Sequence, residues 1–184
     1  MNLFNRVYYK LVKIFSNGEK YATTTAIKKA RNLGVKVGDD CRFFSTSFST
    51  EPYLIEIGNH VTITTGVKFI THDGGVWVLR YMDKELSNVD LFGKIKIKDN
   101  VFIGLDSIIL PGITLGNNII VAAGSVVTKS FDGNQIIGGV PAKPIKNIEE
   151  YIKAIKPNLL NTKKKNYKEK RKIIFENMNN LKSK

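Results

Sequence analysis

Two histidines occur in the 184 residues, His60 and His72, and the second lies in "FITHDGGVWVLRYMDKEL", Phe69 to Leu86. Imidazole changes charge near neutral pH, so a loop histidine is the first place to look for proton-transfer chemistry. Its neighbours widen what the stretch could do. Asp73 could orient the ring, Trp77 offers an aromatic face for stacking, and Arg80 could pair with an acidic or phosphorylated group. By contrast His60, in the turn "GNHV", reads as a corner residue on the solvent side. The single Cys41 excludes an internal disulfide and a cysteine-based zinc site. It occupies the same slot as Val61 and reads as a small core residue.

The elements that must position His72 show themselves as a six-residue period. Ile57, Ile63 and Phe69 are large and apolar at steps of six, and from Ile97 the same step gives Ile103, Ile109, Leu115, Val121 and Val127. Four places further on within each six come Val61, Val67, Val101, Ser107, Ile113, Ile119 and Ser125, small or β-branched throughout, with the pattern breaking at Asp73. Gly58, Gly104 and Gly116 directly follow the large residue, and "GDD", "GNH", "KDN" and "GNN" recur as polar turns. An α-helix would rotate such residues around its axis, and a plain strand alternates over two. A coil of short strands satisfies the period. Each side of a triangular prism supplies one large inward residue, three sixes close a coil of about 18 residues, and stacked coils bury a continuous apolar column. The expected fold class is therefore an all-β solenoid.

Two insertions interrupt the register. Phe43 to Ile57 is 14 residues, and Phe69 to Ile97 is 28, four more than four sixes. The second predicts a loop leaving the prism over about 72–94, and long loops in compact repeat proteins are usually functional.

The ends differ from the middle. Residues 1–36 carry eight Lys/Arg against one Glu, residues 151–184 eleven against two, and residues 37–150 ten against thirteen acidic groups. Basicity confined to the ends argues against a nucleic-acid-binding core. The ends read as solvated helices, or as segments that could touch an anionic membrane surface. Residues 1–34 are expected to form a helical cap: Leu3, Phe4, Val7, Tyr8, Leu11, Val12 and Phe15 share a face, and "TTTAIKKARNLG" stops at Gly34. Residues 35–148 form the solenoid, and 149–184 a basic helical tail interrupted at Pro157. There is no run of about 18 apolar residues, and the start does not resemble a signal peptide. With one cysteine, this favours a cytoplasmic setting, with contact at the inner face of the membrane a further option.

The stretch "IKIKDNVFIGLDSIILPGITLGNNIIVAAGSVVTKSFDGNQIIGGVPAKPIKNI", 95–148, preceded by "GNHVTITTGVKFITHDG", resembles the hexapeptide-repeat, left-handed β-helix acyltransferases, among them the maltose, galactoside and polysaccharide O-acetyltransferases. "ILPGITLG", "AAGSVVTK" and "GGVPAKPI" together carry the likeness, which covers roughly 37–148. The resemblance implies a left-handed coil, a homotrimer with active sites between subunits, and acetyl-CoA lying along the groove as co-substrate, with no metal. It implies that His72 is the general base, taking the proton of an acceptor hydroxyl as the oxygen attacks the thioester. An imidazole titrating near ~6.5 suits that task. No acyl-enzyme is needed, and the oxyanion would meet the backbone N–H of Leu105.

The coenzyme contacts it implies are Phe102 near the thioester, where the family commonly has Trp, Gly104 permitting close approach, and backbone groups of Ala123. Thr128 and Lys129 fall at the adenosine end, and Lys143 could meet a phosphate as a point charge. The chain departs from the sugar acetyltransferases in lacking an acceptor-binding asparagine one coil earlier. "TITTG" stands there, leaving Thr64 or Thr65 to serve. The expected function is acetyl-CoA-dependent O-acetylation of a sugar hydroxyl in surface-polysaccharide or related glycan synthesis. N-acetylation of an amino sugar on a nucleotide carrier is the alternative within the fold, and a non-catalytic β-helix scaffold the alternative outside enzymes. The zinc-dependent carbonic anhydrases of this fold need three histidine ligands, which His60 and His72 cannot supply.

Overall fold

Successive short strands visit three parallel sheets in turn. This computed structural model describes residues 23–44 and 47–181. Face A holds β1 (Lys36–Val37), β3 (Ile55–Ile57), β6 (Ile95–Ile97) and β9 (Thr114–Leu115) in that order. Face B runs β2 (Arg42–Phe43), β4 (Thr62–Ile63), β7 (Val101–Ile103), β10 (Ile119–Val121) and β12 (Gln135–Gly139). Face C holds β5 (Lys68–Phe69), β8 (Ile108–Ile109) and β11 (Val126–Val127). The chain thus winds as a three-sided prism, and the register lays like on like. Val37, Ile57, Ile97 and Leu115 align on face A, and Phe69, Ile109 and Val127 on face C.

All nine large residues of the six-period are buried, none above 4% exposed. Burying each such side chain is worth about 1.5–3 kcal/mol, so the column is the main source of stability. Ser107 and Ser125 sit in the same interior because both hydroxyls donate to the carbonyl of Ala122, at 3.1 and 2.6 Å. Cys41 is buried in the slot of Val61, and desolvation raises its thiol pKa.

The prism edges follow from turn chemistry. Where face A passes into face B, His60, Asn100, Asn118 and Asn134 each adopt a left-handed backbone, with φ between 54° and 62°. Asparagine tolerates that region and bonds its neighbours sideways. His60 Nδ1 meets Asn100 Oδ1 at 2.8 Å, and the Nδ2 groups of Asn100 and Asn118 each donate to the next Oδ1 at 2.7 Å. Gly104 opens the edge between faces B and C. A Cβ there would stand 2.5 Å from the Ala123 nitrogen, so the close approach it permits in this chain is between coils.

Residues 23–32 are helical (α1) and bury Ala26 and Ala30 beside Val35, covering the first coil. The helix stops before Gly34, whose φ is +99°. The expected helix over Leu3–Phe15 lies outside the described residues. At the other end β13 (Ala142–Asn147) folds back antiparallel on β12. Two helices follow, each started by a capping box: Asn147 with Glu150 for α3 (Ile148–Ile155), Asn166 with Glu169 for α4 (Tyr167–Glu176). Pro157 sits in the 3-10 turn between them, and neither helix buries a residue.

The expected loop is a helical excursion. It contains α2 (Val76–Met82) and a 3-10 turn (Lys84–Leu86). Its base is closed by an antiparallel bridge between His72 and Phe92, flanked by Asp73 N–H to Leu91 O at 2.9 Å and Gly93 N–H to Thr71 O at 2.8 Å. The first register break is also resolved. Phe48 pairs with Phe69 in parallel and stacks on its ring at 5.5 Å, only five residues after Phe43 instead of six.

Candidate active site

His72 leaves the prism three residues after Phe69, and Glu51 stands three residues after Phe48, so the Phe48–Phe69 pairing brings both to one place. His72 Nδ1 lies 3.0 Å from Glu51 Oε2 and 3.2 Å from Thr50 Oγ1. The Thr71 hydroxyl donates to the same Glu51 oxygen at 2.6 Å. The hydroxyls of Thr71 and then Thr50, and after them His72, hold the Glu51 carboxyl down at about 2, far below the usual glutamate value. An ionised carboxylate only accepts, so the ring hydrogen sits on Nδ1 and a neutral ring keeps its lone pair on Nε2. The Glu51 side chain is 16% exposed and that of His72 41%: the carboxylate is tucked beneath the ring and the ring faces outward.

Asp73 does not hold the imidazole. Its Oδ1 accepts from the Gly75 N–H at 2.8 Å and shapes the turn into α2. Arg80 braces the excursion internally: its Nε donates to Val89 O at 2.9 Å and its guanidinium pairs with Asp90. Trp77 on α2 is 74% exposed.

The remaining residues fall on two edges of the prism. Thr65, Leu105 and Ala123 stack where face B turns into face C, linked by Asp106 N–H to Thr65 O at 3.1 Å and Gly124 N–H to Leu105 O at 2.7 Å. All three are exposed, and among the described residues no acceptor takes the Leu105 amide hydrogen. Phe102, 44% exposed, points outward from β7 just before this edge, between Thr62 and Ile120 on neighbouring strands. Thr64 donates its hydroxyl to Ile103 O at 2.6 Å and is spent on the coil. The coil stacked against His72 presents Thr50 and Glu51, not "TITTG".

Thr128 and Lys129 lie on the other edge of face C, following β11 as Ile70 and Thr71 follow β5. Both are exposed, and the Lys129 ammonium sits 5.6 Å from the centre of the Phe131 ring. Lys143 is exposed on β13 opposite Gly138. One chain therefore joins His72, Thr128 and Lys129 on one edge, and Thr65, Leu105 and Ala123 on another, with face C between them.

Comparison with known proteins agrees with this architecture. Residues 94–129 match the family model described as the hexapeptide repeat of succinyl-transferase. Protein CapG of Staphylococcus aureus is 60% identical over 146 residues, covering 78% of this chain and 83% of that one. Galactoside O-acetyltransferase of Escherichia coli is 43% identical over 56 residues, 30% of this chain but only 28% of that enzyme. Among solved structures, a hexapeptide-repeat acetyltransferase from Vibrio cholerae matches with a TM-score of 0.53 at 25% identity, covering 62% of this chain and 63% of that one. The chain belongs to the hexapeptide-repeat acyltransferase family.

Proposed function

We propose that this protein is an acetyl-CoA-dependent O-acetyltransferase acting on a sugar hydroxyl in the synthesis of a surface polysaccharide or related glycan. The observation that carries the reading is the outward-facing His72 ring, anchored through Nδ1 on the ionised Glu51. His72 Nε2 takes the acceptor's hydroxyl proton as the oxygen attacks the thioester carbonyl. The Glu51 carboxylate stabilises the imidazolium that forms, which then returns the proton to the departing thiolate. The Leu105 amide offers a hydrogen bond where negative charge grows on the carbonyl oxygen. Phe102 and Ala123 border that point, and Thr128, Lys129 and Lys143 provide hydroxyl and ammonium groups for the adenosine and phosphate end.

His72 and Leu105 stand on different edges of face C, which supports a homotrimer in which the edge of one subunit meets the other edge of the next. The reading takes the coil as left-handed, as family membership implies. The proposed setting is the cytoplasm, with the exposed basic tail able to meet an anionic inner membrane face.

The test is acetyl-CoA turnover with a panel of methyl glycosides. His72→Ala should lose on the order of 10²-fold or more in turnover, as general-base catalysis commonly contributes, while still binding coenzyme A. Undiminished transfer would remove His72 from the reaction. A wild-type protein that binds no coenzyme A would favour the scaffold instead.

A further inference from the structure

We infer that Phe92 is the acceptor platform of this site, an aromatic surface that takes the C–H face of a pyranose ring while His72 takes the proton of its hydroxyl. The inference rests on the sugar-acetylating reading above and adds to it a residue that selects the acceptor.

Asp73 N–H bonds to Leu91 O and Gly93 N–H to Thr71 O, which makes His72 and Phe92 a non-hydrogen-bonded antiparallel pair. In such a pair the two side chains project from the same face of the ribbon, with Cβ atoms about 4.5–5.5 Å apart, the closest cross-strand approach a ladder offers. The imidazole is tied back to Glu51 through Nδ1 and both side chains are partly exposed, so one ligand can reach the ring's Nε2 edge and the phenyl together. Phe92 is 51% exposed and its ring lies outside the buried aromatic stack of Phe43, Phe48 and Phe69. A half-exposed phenyl beside a base offers an apolar face that a ligand can cover. A sugar presents both surfaces needed at this separation: apolar C–H groups on one face, hydroxyls around the rim.

The contrast with Trp77 sharpens the assignment. Trp77 is the more exposed aromatic, but it stands on α2, joined to His72 only through the "DGG" turn, whereas Phe92 is registered against the base by two backbone hydrogen bonds.

The experiment compares Phe92→Ala, Phe92→Leu and Phe92→Trp with wild type, using the methyl glycoside that wild type acetylates fastest. Acceptor KM should rise about ten-fold or more in Phe92→Ala, as is common when an apolar pocket contact is deleted. It should recover in Phe92→Trp and stay raised in Phe92→Leu, which keeps bulk but not a flat ring. Coenzyme A affinity and sedimentation should match wild type in all three. An unchanged acceptor KM in Phe92→Ala, or full function in Phe92→Leu, overturns the platform while leaving the enzyme reading intact. Dissociation of the oligomer in Phe92→Ala assigns the ring to subunit packing and also overturns it. If wild type acetylates none of the glycosides, the sugar-hydroxyl reading itself fails, and the platform with it.

Discussion

The two histidines occupy equivalent kinds of place and do different things. Each sits at a prism edge and each joins a neighbouring coil through Nδ1. His60 meets Asn100, the start of a ladder that continues through Asn118 to Asn134, so its ring is one rung in a regular structure. His72 meets Glu51, an ionised carboxylate set at the same offset from Phe48 as His72 from Phe69, where both coils have left the six-residue period. The ladder partner is a neutral amide, joined to the ring through its oxygen and to the next rung through its nitrogen. A carboxylate fixes the tautomer and stabilises a positive ring. Regularity stabilises the prism, and departure from it brings an imidazole and a carboxylate together.

The largest expected separation between the two is in rate. Glu51→Gln keeps the volume but offers an N–H toward Nδ1, which favours the tautomer with its hydrogen on Nε2, the wrong one for a base. Transfer should fall on the order of 10- to 10²-fold in steady-state assays, while His60→Ala should stay close to wild type. Equal losses in the two variants would erase the distinction.

Next comes stability. Asn118→Ala removes both hydrogen bonds of that rung and places a Cβ residue at φ +58°, so chemical denaturation should show a loss of about 1–3 kcal/mol. Asn118→Gly, which keeps the backbone unstrained, should lose less, and folded Asn118→Ala should transfer acetyl at the wild-type rate. A rate defect there would mean that the ladder edge belongs to the site.

The smallest effect is the pH dependence around Glu51. Its carboxyl sits at about 2 in the folded chain against 4.5 ordinarily, so it contributes stability above pH 4.5 that is lost as pH falls toward 2. Thermal unfolding should therefore show a Tm gap between wild type and Glu51→Gln near about pH 6 that narrows by about pH 3. A gap independent of pH would contradict the folded-state ionisation.

Much of this was legible in the sequence because the solenoid repeats its contacts. The nine large residues of the period, the serines of the second column and the stacking of Leu105 under Ala123 all follow from counting in sixes. What was not legible lies where counting fails. Phe48 follows Phe43 by five, so the matching offsets of Glu51 and His72 were hidden, and Asp73, adjacent in sequence, looked the nearer partner. The signal was present in the spacing from Phe48, but only a structure shows that Phe48 takes the slot opposite Phe69. Inside the excursion no period constrains anything. The seven residues of α2 are too few to declare a face, and the bracing of Arg80 by Val89 and Asp90 links positions with no repeat relation.

The central claim is that Glu51 acts on the reaction only through His72. The direct measurement is the transfer rate of Glu51→Gln, His72→Ala and the double variant under one set of saturating conditions. If the two groups form a unit, the double variant is no slower than His72→Ala alone. If the two losses multiply, Glu51 contributes by another route and the pairing seen in the structure is not what drives the chemistry.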